Sequence, residues 1–118
     1  MKIVAAIAVF IVAALHFGFL TLEMFYWDRE IGRKIFSMTA EQSALTKTLA
    51  ANQGLYNGFL AAGLLWGLFA GKRDVTIFFL LCVIIAGVFG AVTAKPIILF
   101  TQAAPALVAL VLTMLARR

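Results

Sequence analysis

The chain has 118 residues, enough for one domain. It is 64% apolar and only 13% charged, against about 45–50% and about 25% in ordinary soluble domains. A small soluble domain leaves roughly a third of its unfolded area exposed, so a water-soluble fold is excluded and a membrane fold is expected. The net charge is +5, but the basic residues punctuate apolar runs and form no stripe with interleaved aromatics. That excludes nucleic acid as a partner and points to anionic lipid headgroups.

A spanning helix needs about 20 apolar residues. The first candidate runs from Ile3 to about Trp27. It is longer than the apolar stretch of a signal peptide and has no convincing cleavage site, so it is read as a retained helix. A polar stretch follows, from Asp28 to about Asn52. Within it Ile31, Ile35 and Met38 recur at helical spacing beside Arg29, Arg33 and Lys34. That pattern predicts a short helix lying in the interface, with a solvated loop as the alternative. Thr39 followed by Gln42 has the spacing of a capping box. With no proline or glycine between Thr39 and Gly54, the second helix is expected to start near Ala40 and to project beyond the membrane.

The second span is expected from about Gln53 to Ala70, before the turn Gly71-Lys72-Arg73-Asp74. The third runs from Val75 to about Ala94, where Lys95-Pro96 breaks it. The fourth runs from about Ile97 to Ala116. The expectation is an all-α, four-helix transmembrane bundle forming one domain over residues 1–118. Basic residues divide equally between the two sides. The group at the termini and second turn (Lys2, Lys72, Arg73, Arg117, Arg118) lies tight against span ends, which favours both termini in the cytoplasm.

The polar residues within these spans segregate. His16 and Glu23, seven positions apart, share a helix face, and Trp27 extends the stripe to the interface. Asn52, Gln53, Tyr56 and Asn57 open the second span. Thr93 and Lys95 close the third, and Gln102 lies early in the fourth. Alternating topology puts all of these on one side, leaving the other leaflet nearly pure Ala, Val, Leu, Ile and Phe. The expectation is a polar cleft in one leaflet, and these ten residues are the candidate ligand-binding set.

Glu23 is the only acid inside a span, and intramembrane acids mark functional sites by default; the structural alternative is an ion pair with Lys95 or Arg29. His16 is either a helix-to-helix hydrogen-bonding group or a proton relay. Tyr56 and Trp27 also suit an aromatic belt, and Lys95 suits snorkelling. One histidine and one carboxylate fall short of a metal site. The single cysteine, Cys82, allows no intramolecular disulfide. No cofactor motif is present. Gly54, Gly58, Gly63, Gly67 and Gly71, with Gly87 and Gly90, read as close helix packing.

Two strings carry a family resemblance. They are His16-Phe17 with Leu22-Glu23-Met24-Phe25-Tyr26-Trp27, and Asn52-Gln53-Gly54-Leu55-Tyr56-Asn57-Gly58. Ala86-Gly87-Val88-Phe89-Gly90-Ala91-Val92-Thr93 and Gln102-Ala103-Ala104-Pro105-Ala106 agree. Over nearly its whole length the chain resembles the DUF1304 family of small bacterial membrane proteins. The resemblance implies four spans in a bacterial inner membrane and no catalytic residues to carry over.

Three classes of function stay open. The first is a binding module whose cleft holds a small amphipathic ligand or lipid. The second is a proton-coupled transporter, similar in size to the small multidrug resistance family but lacking that family's pattern around its glutamate. The third is a membrane enzyme using Glu23 and His16 as an acid–base pair on a lipid-soluble substrate. Whether the chain forms a homo-oligomer is not readable from these residues.

Overall fold

A computed structural model describes residues 2–116. It is all-α, with no strand among the described residues. Helix α1 spans Lys2–Phe25, α2 Glu30–Phe36, α3 Ala40–Phe69, α4 Arg73–Thr93 and α5 Ala104–Ala116, with a π-helical turn at Leu99–Ala103 leading into α5. Three stretches are long and apolar enough to cross a membrane: Lys2–Phe25, Arg73–Thr93 and Leu99–Ala116. The fourth expected span lies in α3 but is not among them, because Asn52, Gln53 and Asn57 dilute its apolar run.

Two compact units divide the chain, one formed by residues 15–59 and the other by residues up to Ala14 together with those from Leu60 onward. The second of these is an apolar core. Val9 and Val12 of α1, Leu64 of α3, Leu80 and Val83 of α4 and Ala106 of α5 are almost fully buried there. Glycines let its backbones approach. A Cβ at Gly63 would run into the Phe79 ring, one at Gly67 into Thr76, and one at Gly87 would lie 2.7 Å from the Ala103 nitrogen. Gly71 is different: it has open space around it but a φ of 66°, the left-handed conformation that ends α3 at low cost only without a side chain. Pro105 explains the π-helical turn. It has no N–H to give Thr101, and its ring would crowd that carbonyl in an α-helix. The chain widens instead, and the Ala104 N–H reaches back five residues to the Leu99 carbonyl.

The unit at residues 15–59 is a helical hairpin with an insert. The C-terminal part of α1 and the N-terminal part of α3 run antiparallel: Gly54 packs against Met24, and Gly58 against Leu20. The expected capping box is formed. The Gln42 N–H donates to Thr39 Oγ1 at 3.1 Å, and the Thr39 N–H to Gln42 Oε1 at 2.9 Å. This is why α3 starts at Ala40 and why the connection is not a plain loop. At 30 residues, α3 is about 45 Å long, well beyond the about 30 Å of a hydrocarbon core. The predicted short helix is also present as α2, where Gly32 sits so close to the Tyr26 and Trp27 carbonyls that no side chain fits.

Candidate functional site

Asp28 and Trp27 fasten the connection between α1 and α3. Asp28 Oδ1 accepts from Ser43 Oγ at 2.7 Å and from Arg33 Nη1 at 3.2 Å, and Ser43 is fully buried. The Trp27 Nε1–H donates to Thr46 Oγ1 at 2.9 Å, and its ring lies 4.8 Å from that of Phe36. Trp27 therefore ties the end of α1 to α3 and α2. These bonds hold α2 against the first turns of α3 and fix the rotation of α3 relative to the end of α1.

That rotation brings Asn57 to Glu23. Asn57 Nδ2 donates to Glu23 Oε1 at 2.6 Å. Gly54 makes the approach feasible, since a Cβ there would come within 3.1 Å of Glu23 Cβ and 2.7 Å of Met24 Cγ. Glu23 is half-buried, while Asn57 is only 3% exposed. Asn57 Oδ1 is buried and has no hydrogen-bond partner among the described residues. A buried amide oxygen left unmatched is costly, and in native folds such atoms are rare enough to need an explanation. The pair thus leaves two acceptors, the second carboxylate oxygen and the amide oxygen. The chemical complement is a donor: an ammonium, a hydroxyl or a proton.

His16 lies deeper on the same helix, 1% exposed, with its ring edge-on to Phe19 at 5.2 Å. Seven residues separate it from Glu23, about 10 Å along the axis, too far for a direct hydrogen bond. The remaining candidates of this unit turn outward. Asn52 and Gln53 are exposed, as is Tyr56 at 55%. Gln53 and Asn57, four positions apart, therefore differ sharply in environment. Thr93, Lys95 and Gln102 belong to the other unit. There the Thr93 hydroxyl donates to the Phe89 carbonyl at 2.7 Å, Lys95 is exposed, and Gln102 sits half-buried in the π-helical turn.

Sequence reasoning missed Ser43 and Thr46, which read as ordinary polar residues of a helix outside the span. It also missed Thr76 and Thr113. Both are buried, and both lie toward the span ends that were expected to form the inert leaflet.

The family described as "Protein of unknown function (DUF1304)" matches residues 10–114. An uncharacterized protein of Lactococcus lactis subsp. lactis (strain IL1403), YpaA, is 29% identical over 115 residues, covering 94% of this chain and 97% of that protein. No solved structure matches the chain.

Proposed function

The chain belongs to the DUF1304 family, and from that premise we propose a multi-pass protein of the bacterial cytoplasmic membrane that binds a small amphipathic molecule at Glu23 and Asn57. The observation that carries this reading is the buried Asn57 Oδ1, without a partner beside a carboxylate that Asn57 itself orients. Two acceptors at the edge of an apolar helix pair suit a ligand with an amine or hydroxyl head and an apolar body. Lipid-soluble alcohols, quinols and organic cations share that chemistry. In this reading α3 is the fourth crossing, its apolar second half lying in the membrane and its first turns outside, and the chain termini face the cytoplasm.

The test is extraction of the full chain in a mild detergent, followed by mass spectrometry of what stays bound. A retained amine- or hydroxyl-bearing amphiphile, lost in Glu23→Gln and in Asn57→Leu, supports the proposal. A chain that retains nothing, with Asn57 Oδ1 contacted only by protein in a high-resolution structure, sinks it. The same variants separate the other classes. Proton-driven accumulation in proteoliposomes that depends on Glu23 indicates transport. Turnover of a lipid pool that needs both His16 and Glu23 indicates catalysis.

A further inference from the structure

We propose that a cavity bounded by the start of α1 and the start of α4 binds the phosphate of an anionic phospholipid headgroup. The cavity has a volume of about 280 Å³, just under the about 300–1,000 Å³ of small-molecule sites, the scale of a headgroup. It lies wholly within the unit built on Leu64 and Leu80, so it stands or falls independently of Glu23 and Asn57. Its walls include Lys2 of α1, Gly67 at the end of α3, Arg73 and Thr76 of the first turn of α4, and Thr113 of α5.

Its electrostatics have one sign. Among the described residues of the wall, Lys2 and Arg73 are the charged ones and none is acidic. Neighbouring Asp74 is not in the wall, and its carboxylate accepts the Val75 N–H at 2.9 Å. Lys72, at the N-cap of α4, makes no side-chain cap, but Asp74 in the first turn offsets the positive end of that helix, so the field of the wall rests on Lys2 and Arg73. Arg73 Nη2 donates to the Met114 carbonyl at 3.3 Å, which steadies the guanidinium and leaves its other N–H groups for a ligand. Arginine presents these as a fork that matches phosphate oxygens.

Thr113 supplies an independent pointer to a ligand. It is 8% exposed, and its Oγ1 is buried with no hydrogen-bond partner among the described residues. Thr76, by contrast, spends its hydroxyl proton on the Lys72 carbonyl at 3.3 Å. An uncommitted hydroxyl in a wall that also carries two cations calls for an acceptor, and an anion is the group that suits both. Depth identifies the source. Lys2 and Arg73 open two of the helices long and apolar enough to cross a membrane, and basic residues at span ends sit at headgroup level.

The test uses the full chain in dodecylmaltoside micelles and counts lipids retained in native mass spectrometry. Phosphatidylglycerol, phosphatidylcholine and inorganic phosphate are added separately. The expected result is preferential retention of one phosphatidylglycerol, weakened about tenfold or more by Arg73→Gln and several-fold by the near-isosteric Thr113→Val. Arg73→Lys is expected to restore part of the loss. Equal retention of the zwitterionic lipid overturns the proposal. So does retention that both Arg73→Gln and Thr113→Val leave unchanged while their helical spectra match wild type. Competition by inorganic phosphate at concentrations near those of the lipid overturns the lipid as source, since it reports a site for free anion.

Discussion

Asn57 Nδ2 and Glu23 Oε1 are 2.6 Å apart and 34 positions apart in sequence. Everything between them serves that distance. The capping box at Thr39 starts α3, Asp28 and Trp27 set its rotation, and Gly54 removes the side chain that would hold the helices apart. The pair is thus the product of a hairpin, and its strength can be separated from the hairpin's own.

A double-mutant cycle of Glu23→Leu and Asn57→Leu is expected to show coupling of about 0.6 kcal/mol and up to about 1.7 kcal/mol, the range for hydrogen bonds between membrane helices. Reversible unfolding of the full chain in bicelles measures it. Strict additivity of the two substitutions would mean that the bond contributes nothing beyond its separate groups.

Glycines of one chain are expected to respond oppositely to alanine. At Gly54 a Cβ meets Met24 Cγ at 2.7 Å and the Leu20 carbonyl at 3.3 Å, whereas at Gly18 nothing lies within 4 Å. Gly54→Ala should destabilise by about 1–3 kcal/mol through overpacking and weaken any ligand binding at Glu23. Gly18→Ala should be neutral or stabilise by up to about 1 kcal/mol, because alanine is the better helix former. Equal midpoints for the two variants in the same unfolding assay would refute the packing argument.

The sequence made some of this architecture legible and hid the rest for a physical reason. Local rules read well. Ile31 and Ile35 announced α2, Thr39 and Gln42 announced the start of α3, and Lys95-Pro96 announced the end of α4. Glu23 stood out because an acid in an apolar run is rare. Burial depends on rotation about a helix axis to within tens of degrees, and spacing alone does not fix it. Gln53 and Asn57, one turn apart, therefore look equivalent in sequence, yet one is exposed and the other buried. The rotation is set by Ser43 reaching Asp28 across 15 positions and Trp27 reaching Thr46 across 19, pairings that no periodicity encodes. Thr76 and Thr113 were hidden for the same reason, since a threonine in a span looks alike on either face.

Ser37 is the one non-glycine residue with positive φ among the described residues, at 56°, where it caps α2 and donates its N–H to the Arg33 carbonyl. The left-handed conformation costs an ordinary residue about 1–2 kcal/mol, and glycine avoids it while losing more backbone freedom on folding. Ser37→Gly is therefore expected to stabilise the connection by roughly 0.5–1 kcal/mol. Slower cleavage between α2 and α3 by a non-specific protease is the readout, and faster cleavage would contradict it.

Thr46 tests whether Trp27 is an anchor or merely an interfacial aromatic. Both roles place an indole at the end of α1, but only the anchor needs its N–H bonded to Thr46 Oγ1 at 2.9 Å. Thr46→Val keeps the side-chain shape and removes the acceptor. The loss of one such bond is worth about 1 kcal/mol, so the Trp27 indole proton should exchange with solvent several-fold faster. Trp66, exposed on α3 in the other unit, provides the internal control and should not change. Because the bond sets the rotation of α3, the same variant should also weaken the Glu23–Asn57 coupling, which an interfacial aromatic alone would not do. Unchanged exchange at Trp27, or intact coupling despite faster exchange, would separate the belt role from the anchor and leave Asp28 and Ser43 to orient the helix.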